Sequence, residues 1–161
     1  MEILDIRFDG DNLSRRLSNL YPYSFQLDDI TYASMEAFFG ALRTPDFNNK
    51  KNIIDKTGHL AWTLGHKYNW IDRQEVDYNG TTIERHSIEY DELITRVFDA
   101  IFENPDYKKA LQESVGFRMI HSIGKTSKYK TLLTRREFIG QLERLRDRLF
   151  HSRFHNLFDF L

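Results

Sequence analysis

The chain has 161 residues, 40% of them hydrophobic and 29% charged, with a net charge of −1. This length and composition are typical of one globular domain and argue against disorder. The nearly balanced charge gives no overall attraction to nucleic acid or to a membrane. The absence of cysteine excludes disulfides, thiolate zinc sites and cysteine nucleophiles. With no long apolar run and no signal-peptide pattern, we expect a cytoplasmic protein without a membrane partner.

The N-terminal part of the chain predicts short strands followed by a helix. Residues 4–8 alternate between apolar and polar side chains until a DGDN turn, as in a strand. Residues 25–32 are typical of a hairpin with two aspartates at its turn. Ser34 is placed to cap a helix over residues 35–43, which a proline soon after would end.

The rest of the chain predicts mainly helices. An Asn-Gly pair at 79–80 favours a second hairpin, and residues 117–123 favour a short strand. The predicted helices cover residues 58–67, 88–102, 105–114 and 135–149. We expect the apolar tail, residues 150–161, to dock on the body or on a partner. The sequence therefore predicts one compact α+β domain over residues 1–161, mostly helical, with short N-terminal strands.

A basic stretch at residues 118–136 contains the string GKTSKYKT, which has some likeness to a phosphate loop. The phosphate-loop motif needs a glycine five positions before Gly124, where Met119 stands. The basic side chains, Lys125 among them, are suited to a phosphorylated ligand or a nucleic-acid backbone. A solvated loop is the alternative.

Two histidines near the C-terminus raise the question of a metal site. His151 and His155 are four residues apart and can share a helix face. No HExxH glutamate and no third ligand accompany them, so we expect no metal.

Glu36 is the unusual residue of the first predicted helix, because it stands among aromatic side chains. A carboxylate in such surroundings loses solvation, which raises its proton affinity. This suits a general acid or base, or a group that holds a ribose hydroxyl. The alternative is a surface glutamate that the helix dipole favours in the first turn. Arg43 follows seven residues later, on the same helix face.

Two motifs near the N-terminus follow each other in a defined order. LSNLYP at residues 17–22 is followed by Tyr-x-Ser-x-Glu-x-x-Phe-x-Ala, which begins at Tyr32. This order resembles the opening of the NADAR family of YbiA-like proteins, which shows F-L-S-N-F-x-P and then E-H-x-Y-Q-A-x-K. Looser similarities, such as Ala61 and Gly65 before a basic residue, continue to residue 149.

The resemblance implies an N-glycosidase with a compact mixed fold and no metal or redox cofactor. Such an enzyme cleaves a ribosyl C–N bond in a phosphoribosyl or ADP-ribosyl conjugate, the latter including ADP-ribosyl guanine in nucleic acid. By position, Glu36 is the catalytic carboxylate, which stabilises the positive charge on the ribose as the base departs. The implied substrate-binding residues, with Lys125 added from the basic stretch, are Ser18, Asn19, Tyr21, Pro22, Phe39 and Lys125.

The chain departs from the family pattern at positions that bear on catalysis. Ala37 and Gly40 replace a histidine and a glutamine, and Arg43 replaces a lysine that forms a Schiff base with the opened sugar in some members. Arginine stays protonated and cannot form that bond, but it can clamp a phosphate or a ribose hydroxyl. We therefore place Arg43 in the catalytic set, with Lys125 or Lys128 as an alternative amine. The alternative functions are a non-catalytic ADP-ribose or nucleotide-binding module of the same fold, and an interaction protein that uses its tail.

Overall fold

The computed structural model describes residues 1–158, and the side chains of residues 1–151. The strands are β1 (Ile3–Asp5), β2 (Phe25–Leu27), β3 (Ile30–Tyr32), β4 (Glu75–Tyr78), β5 (Thr81–Glu84) and β6 (Arg118–Ile120). The helices are α1 (Asn12–Arg16), α2 (Met35–Arg43), α3 (Phe47–Lys51), α4 (Gly58–Gly65), α5 (Ile88–Phe102), α6 (Pro105–Glu113) and α7 (Arg135–Phe158). None of the helices in this part of the chain has the length and hydropathy that a membrane span requires.

The strands form three separate pairs. Strands β2 and β3 form one antiparallel hairpin and β4 and β5 another, as predicted. The turn of the first has left-handed backbone at Asp28 (φ 48°) and Asp29 (φ 64°), which a type I′ turn requires. Strand β1 pairs in parallel with β6, which brings together two segments that are far apart in the sequence.

The helix starts follow the predicted capping signals. The side chain of Ser34 accepts a hydrogen bond from the backbone N–H of Ala37, at 3.1 Å, and so begins α2. Before α7, the Thr134 N–H donates to Glu137 at 2.9 Å, and the Glu137 N–H donates to Thr134 at 3.1 Å. This reciprocal pair is the capping box that the sequence indicates. The helices and short strands given above confirm the predicted α+β fold class.

Two helices were not predicted, several predicted boundaries differ by a few residues, and α7 extends well beyond its predicted end. Helices α1 and α3 have five residues each, which is too short for a helical pattern to be recognised. Helix α7 continues through residue 158, so the backbone of the predicted tail begins as part of this helix. The predicted docking of residues 150–161 falls mostly on side chains that lie outside the described residues.

Helix α2 lies in the interior of the domain. Every residue from Met35 to Leu42 is buried, and Phe38 packs edge-on against Phe39 and Tyr32 in the core. A helix that is buried on all sides is normally apolar on all sides. The charges near the two ends of α2, on Glu36 and Arg43, therefore need a separate explanation.

Helices α2 and α4 make contact through glycine. A Cβ atom on Gly65 would lie 2.6 Å from the Cα atom of Gly40 and 3.4 Å from Nη1 of Arg43. The two backbones can approach this closely only because neither residue has a side chain. The C-terminal end of α4 is thereby held beside Arg43.

We expect the substitution Gly65→Ala to destabilise the protein by about 1–3 kcal/mol, because the new methyl group overlaps the backbone of α2. Gly140→Ala in α7 is the matched control, since a Cβ there meets nothing within 4 Å. That control should raise stability by about 0.5–1 kcal/mol, because alanine favours a helix interior. Urea unfolding of both variants measures the difference. Equal effects of the two substitutions would contradict the close contact.

Candidate active site

A cavity of about 880 Å³ opens beside α2. Pockets for small molecules and cofactors usually measure roughly 300–1,000 Å³, so the cavity is large enough for a nucleotide. Its wall is assembled from α2, α4, Phe138 of α7 and four loop regions, at residues 7–9, 18–20, 66–71 and 121–133.

Glu36 lies in this wall and is only 8% exposed. Its backbone N–H donates a hydrogen bond to the carbonyl oxygen of Asn19, at 2.9 Å. The same loop is tied to α4, because the Gly58 N–H donates to the Leu20 carbonyl at 3.0 Å. The alternative of a surface glutamate in the first helical turn is therefore wrong: Glu36 is buried, and the LSN segment fixes its backbone.

Arg43 is the ion-pair partner of Glu36. Nη1 of Arg43 lies 3.4 Å from Oε1 of Glu36, and the two side chains are 10% and 11% exposed. Burial raises the pKa of Glu36, and the guanidinium of Arg43 opposes that rise without cancelling it. The cavity therefore contains a poorly solvated carboxylate beside a permanent positive charge.

Most of the predicted binding residues line the cavity. Ser18, Asn19, Phe39 and Lys125 all contribute to its wall. Tyr21 and Pro22, which were predicted to form the wall, lie outside it. The chain turns at this point, where the Tyr21 N–H donates to the Ser18 carbonyl at 3.0 Å. The Tyr21 ring then packs on Tyr23, with centroids 4.7 Å apart.

The cavity wall also contains side chains that the sequence did not single out. They are Arg7, Trp62, His66 and His121, among others. These residues come from segments far apart in sequence, so no local motif marks them as a group. The one local signal was the spacing of Trp62 and His66, four residues apart within a predicted helix.

A buried arginine holds one wall of the cavity in place. Arg85 is fully buried; its Nε donates to the Thr131 carbonyl at 3.0 Å and its Nη2 to Glu137 at 2.6 Å. Its guanidinium lies over the ring of Tyr90, whose hydroxyl donates to the Leu132 carbonyl at 2.5 Å. Thr131 and Leu132 line the cavity, so this network fixes their backbone.

No metal centre is formed within the described part of the chain, where no three His, Asp or Glu side chains lie close enough to hold an ion. His155, one of the two histidines considered for metal binding, has its side chain outside that part. His151 instead has Nδ1 3.0 Å from the backbone carbonyl of Asp147, one turn earlier.

The fold is that of a YbiA-like domain. The chain superposes on the NMR structure of the Escherichia coli protein YbiA with a TM-score of 0.60, over 95% of this chain and 88% of YbiA. Sequence identity is 15%, so this similarity shows the fold alone. The resemblance to the NADAR family is confirmed at the level of the fold.

Comparison of sequences identifies the family to which the chain belongs. Residues 12–147 match the protein family described as Bacteriophage protein GP30.3, and the chain belongs to this family. A relative in Enterobacteria phage T4, described as an uncharacterized 17.1 kDa protein in the Gp30-rIII intergenic region, is 32% identical over 152 residues. The alignment covers 92% of this chain and 100% of the T4 protein.

We expect Glu137→Gln to lower the free energy of unfolding by about 3 kcal/mol at pH 7, because it leaves the charge of Arg85 buried without a counter-charge. Burial alone would raise the pKa of Glu137, but hydrogen bonds from Arg85 and Thr134 outweigh it and lower the pKa below the ordinary 4.5. The stabilisation is therefore complete above pH 4.5 and is lost as the pH falls through the folded-state pKa.

Urea unfolding between pH 3 and pH 7 measures this effect. The exposed Glu143 on the same helix supplies the control, and Glu143→Gln should change stability by less than about 0.5 kcal/mol. A Glu137→Gln variant as stable as this control at pH 7 would show that the buried pair does not hold the wall.

Proposed function

We propose that this protein is an N-glycosidase that hydrolyses the ribosyl C–N bond of an ADP-ribosyl or phosphoribosyl conjugate. The observation that carries the proposal is the buried carboxylate of Glu36 in a nucleotide-sized cavity, paired with Arg43 at 3.4 Å. Conjugates carried on nucleic acid, such as ADP-ribosyl guanine, belong to the same chemical class. The YbiA-like fold supports the proposal. A second support is that the predicted motif residues Ser18, Asn19 and Glu36 line the same cavity.

Glu36 is suited to the charge that develops during this reaction. When the C–N bond breaks, its electron pair leaves with the base and the ribose ring becomes positively charged. A carboxylate that is already desolvated and fixed stabilises that charge more strongly than one in water. Glu36 must be ionised for this role, and the adjacent guanidinium of Arg43 favours the ionised form.

The cavity also has groups that suit phosphate. Its charged side chains are Arg7, Asp9, Glu36, Arg43, Lys125 and Lys130, so that cations outnumber anions. Arg43 uses Nη1 for Glu36, and a guanidinium has further N–H donors in the same plane for a phosphate or a hydroxyl. Binding of the phosphates would leave the ribose close to Glu36.

Arg43 also determines which route the reaction takes. A guanidinium remains protonated at neutral pH and cannot attack the sugar as an amine. The proposed reaction is therefore direct attack by water. The same feature favours the second candidate function, a module that binds ADP-ribose or a related nucleotide without cleaving it.

We expect Glu36→Gln to reduce base release by at least about 100-fold, because it removes the charge that stabilises the transition state. Free base released from ADP-ribosylated guanine DNA and from a phosphoribosyl-aminopyrimidine is measured by mass spectrometry. Glu143→Gln, on the exposed surface outside the cavity, serves as the matched control. Calorimetry with ADP-ribose checks that the Glu36→Gln cavity still binds its ligand. Unchanged release by Glu36→Gln would refute the proposed role of Glu36.

We expect no covalent sugar adduct when wild-type protein turns over substrate in the presence of cyanoborohydride, because residue 43 is not an amine. Peptide mass spectrometry detects such an adduct. An adduct at Lys125 or Lys128 would overturn the direct hydrolytic route and would identify the amine that replaces the lysine of the NADAR motif.

A further inference from the structure

His66 is a further polar residue in the cavity wall, and the orientation of its ring is defined. It follows the last residue of α4, and its Nδ1 lies 2.8 Å from the backbone carbonyl oxygen of Trp62. A carbonyl oxygen can only accept, so Nδ1 carries the hydrogen in the neutral ring. Its Nε2 then has a free lone pair and can accept a proton or a hydrogen bond.

The ring of His66 is held by stacking as well as by this hydrogen bond. It stacks on the indole of Trp62, with centroids 4.0 Å apart and an angle of 23° between the planes. Both residues line the cavity. Gly65, the residue before His66, packs against α2 beside Nη1 of Arg43, so the charge of Arg43 acts on His66.

The surroundings of His66 favour its uncharged form. Partial burial of the ring lowers the pKa of His66, although the residue as a whole is exposed, and Arg43 from α2 and Lys125 from the loop at 121–133 lower it further. The Trp62 carbonyl opposes this shift without reversing it. The imidazole therefore presents a neutral acceptor among fixed positive charges.

Hydrolysis needs such an acceptor in addition to Glu36. The attacking water must lose a proton as its oxygen bonds to the ribose carbon, while Glu36 stabilises the positive ring and is paired with Arg43. Asp9 is less suitable because it is held by Arg7 at 3.0 Å. His121 has its ring packed against the backbone of Gly124.

We propose that His66 is the proton acceptor of this site, and that its Nε2 takes a proton from the water or hydroxyl that lies against the ribose. This inference rests on the proposed N-glycosidase function. In the step, the water oxygen bonds to C1′, the C–N electron pair leaves with the base, and one water proton moves to Nε2. The base takes a proton from solvent and the imidazolium returns its proton to solvent, so that one water is consumed.

His66→Asn tests the inference, because asparagine can keep a donor near the position of Nδ1 but has no group at the position of Nε2. We expect kcat to fall by about 10²-fold or more with a much smaller change in KM. In wild type, kcat should decrease as the pH falls through the lowered pKa of His66, and His66→Asn should lose that decrease. A merely structural role for His66 would leave the pH dependence in place.

His151→Asn is the matched control, since its Nδ1 also contacts a backbone carbonyl one turn earlier, at 3.0 Å, but lies outside the cavity wall. It should keep the activity and pH dependence of wild type. If His66→Asn behaves like this control while wild type releases base, the inference about His66 is wrong and the proposed function stands.

A second readout does not depend on turnover. ¹⁵N NMR of the His66 ring should show hydrogen on Nδ1 and not on Nε2, and addition of ADP-ribose should shift the Nε2 resonance as it accepts a hydrogen bond. If no conjugate is cleaved but this shift occurs, the proposed function fails and His66 remains an acceptor for the ligand. A ring with hydrogen on Nε2, or an Nε2 signal that ADP-ribose leaves unchanged, would overturn the inference in either case.

Discussion

The ion pair between Glu36 and Arg43 connects the two ends of a helix that is otherwise buried in the core. Removing two charges from water is costly, and an apolar pair of similar volume would often be at least as stable in such a place. In this domain the pair is nevertheless present, and both of its side chains border a cavity. A charge pair kept at a cavity wall against this cost is typical of a functional site.

Three sets of contacts hold the cavity around this pair. The Asn19 carbonyl accepts a hydrogen bond from the backbone N–H of Glu36. The glycine contact at Gly65 brings α4 against α2. Arg85 fixes the loop that contains Thr131. Each contact joins segments that are distant in the chain. The site is therefore a product of tertiary packing, and small changes far from Glu36 should alter its geometry.

The local features of the fold could be predicted because they depend on neighbouring residues. Both hairpins follow from left-handed turn residues and the start of α2 follows from Ser34, and the position of Arg43 on the face of Glu36 follows from helical spacing. Tyr21 and Pro22 were assigned to the wall but lie outside this cavity, because the direction of a loop after a turn is set by what it packs against. His66 was not singled out because its place beside Arg43 depends on the contact between α2 and α4.

The most direct test of the account is a product assay with wild-type protein. ADP-ribosylated guanine DNA, a phosphoribosyl-aminopyrimidine, NAD and ADP-ribose are incubated separately with the protein, and the products are identified by mass spectrometry. If the protein is an N-glycosidase, it releases a free base from at least one of these ribosyl conjugates. Binding of ADP-ribose by calorimetry, with no base released from any of these compounds, would contradict the account and would identify the protein as a binding module.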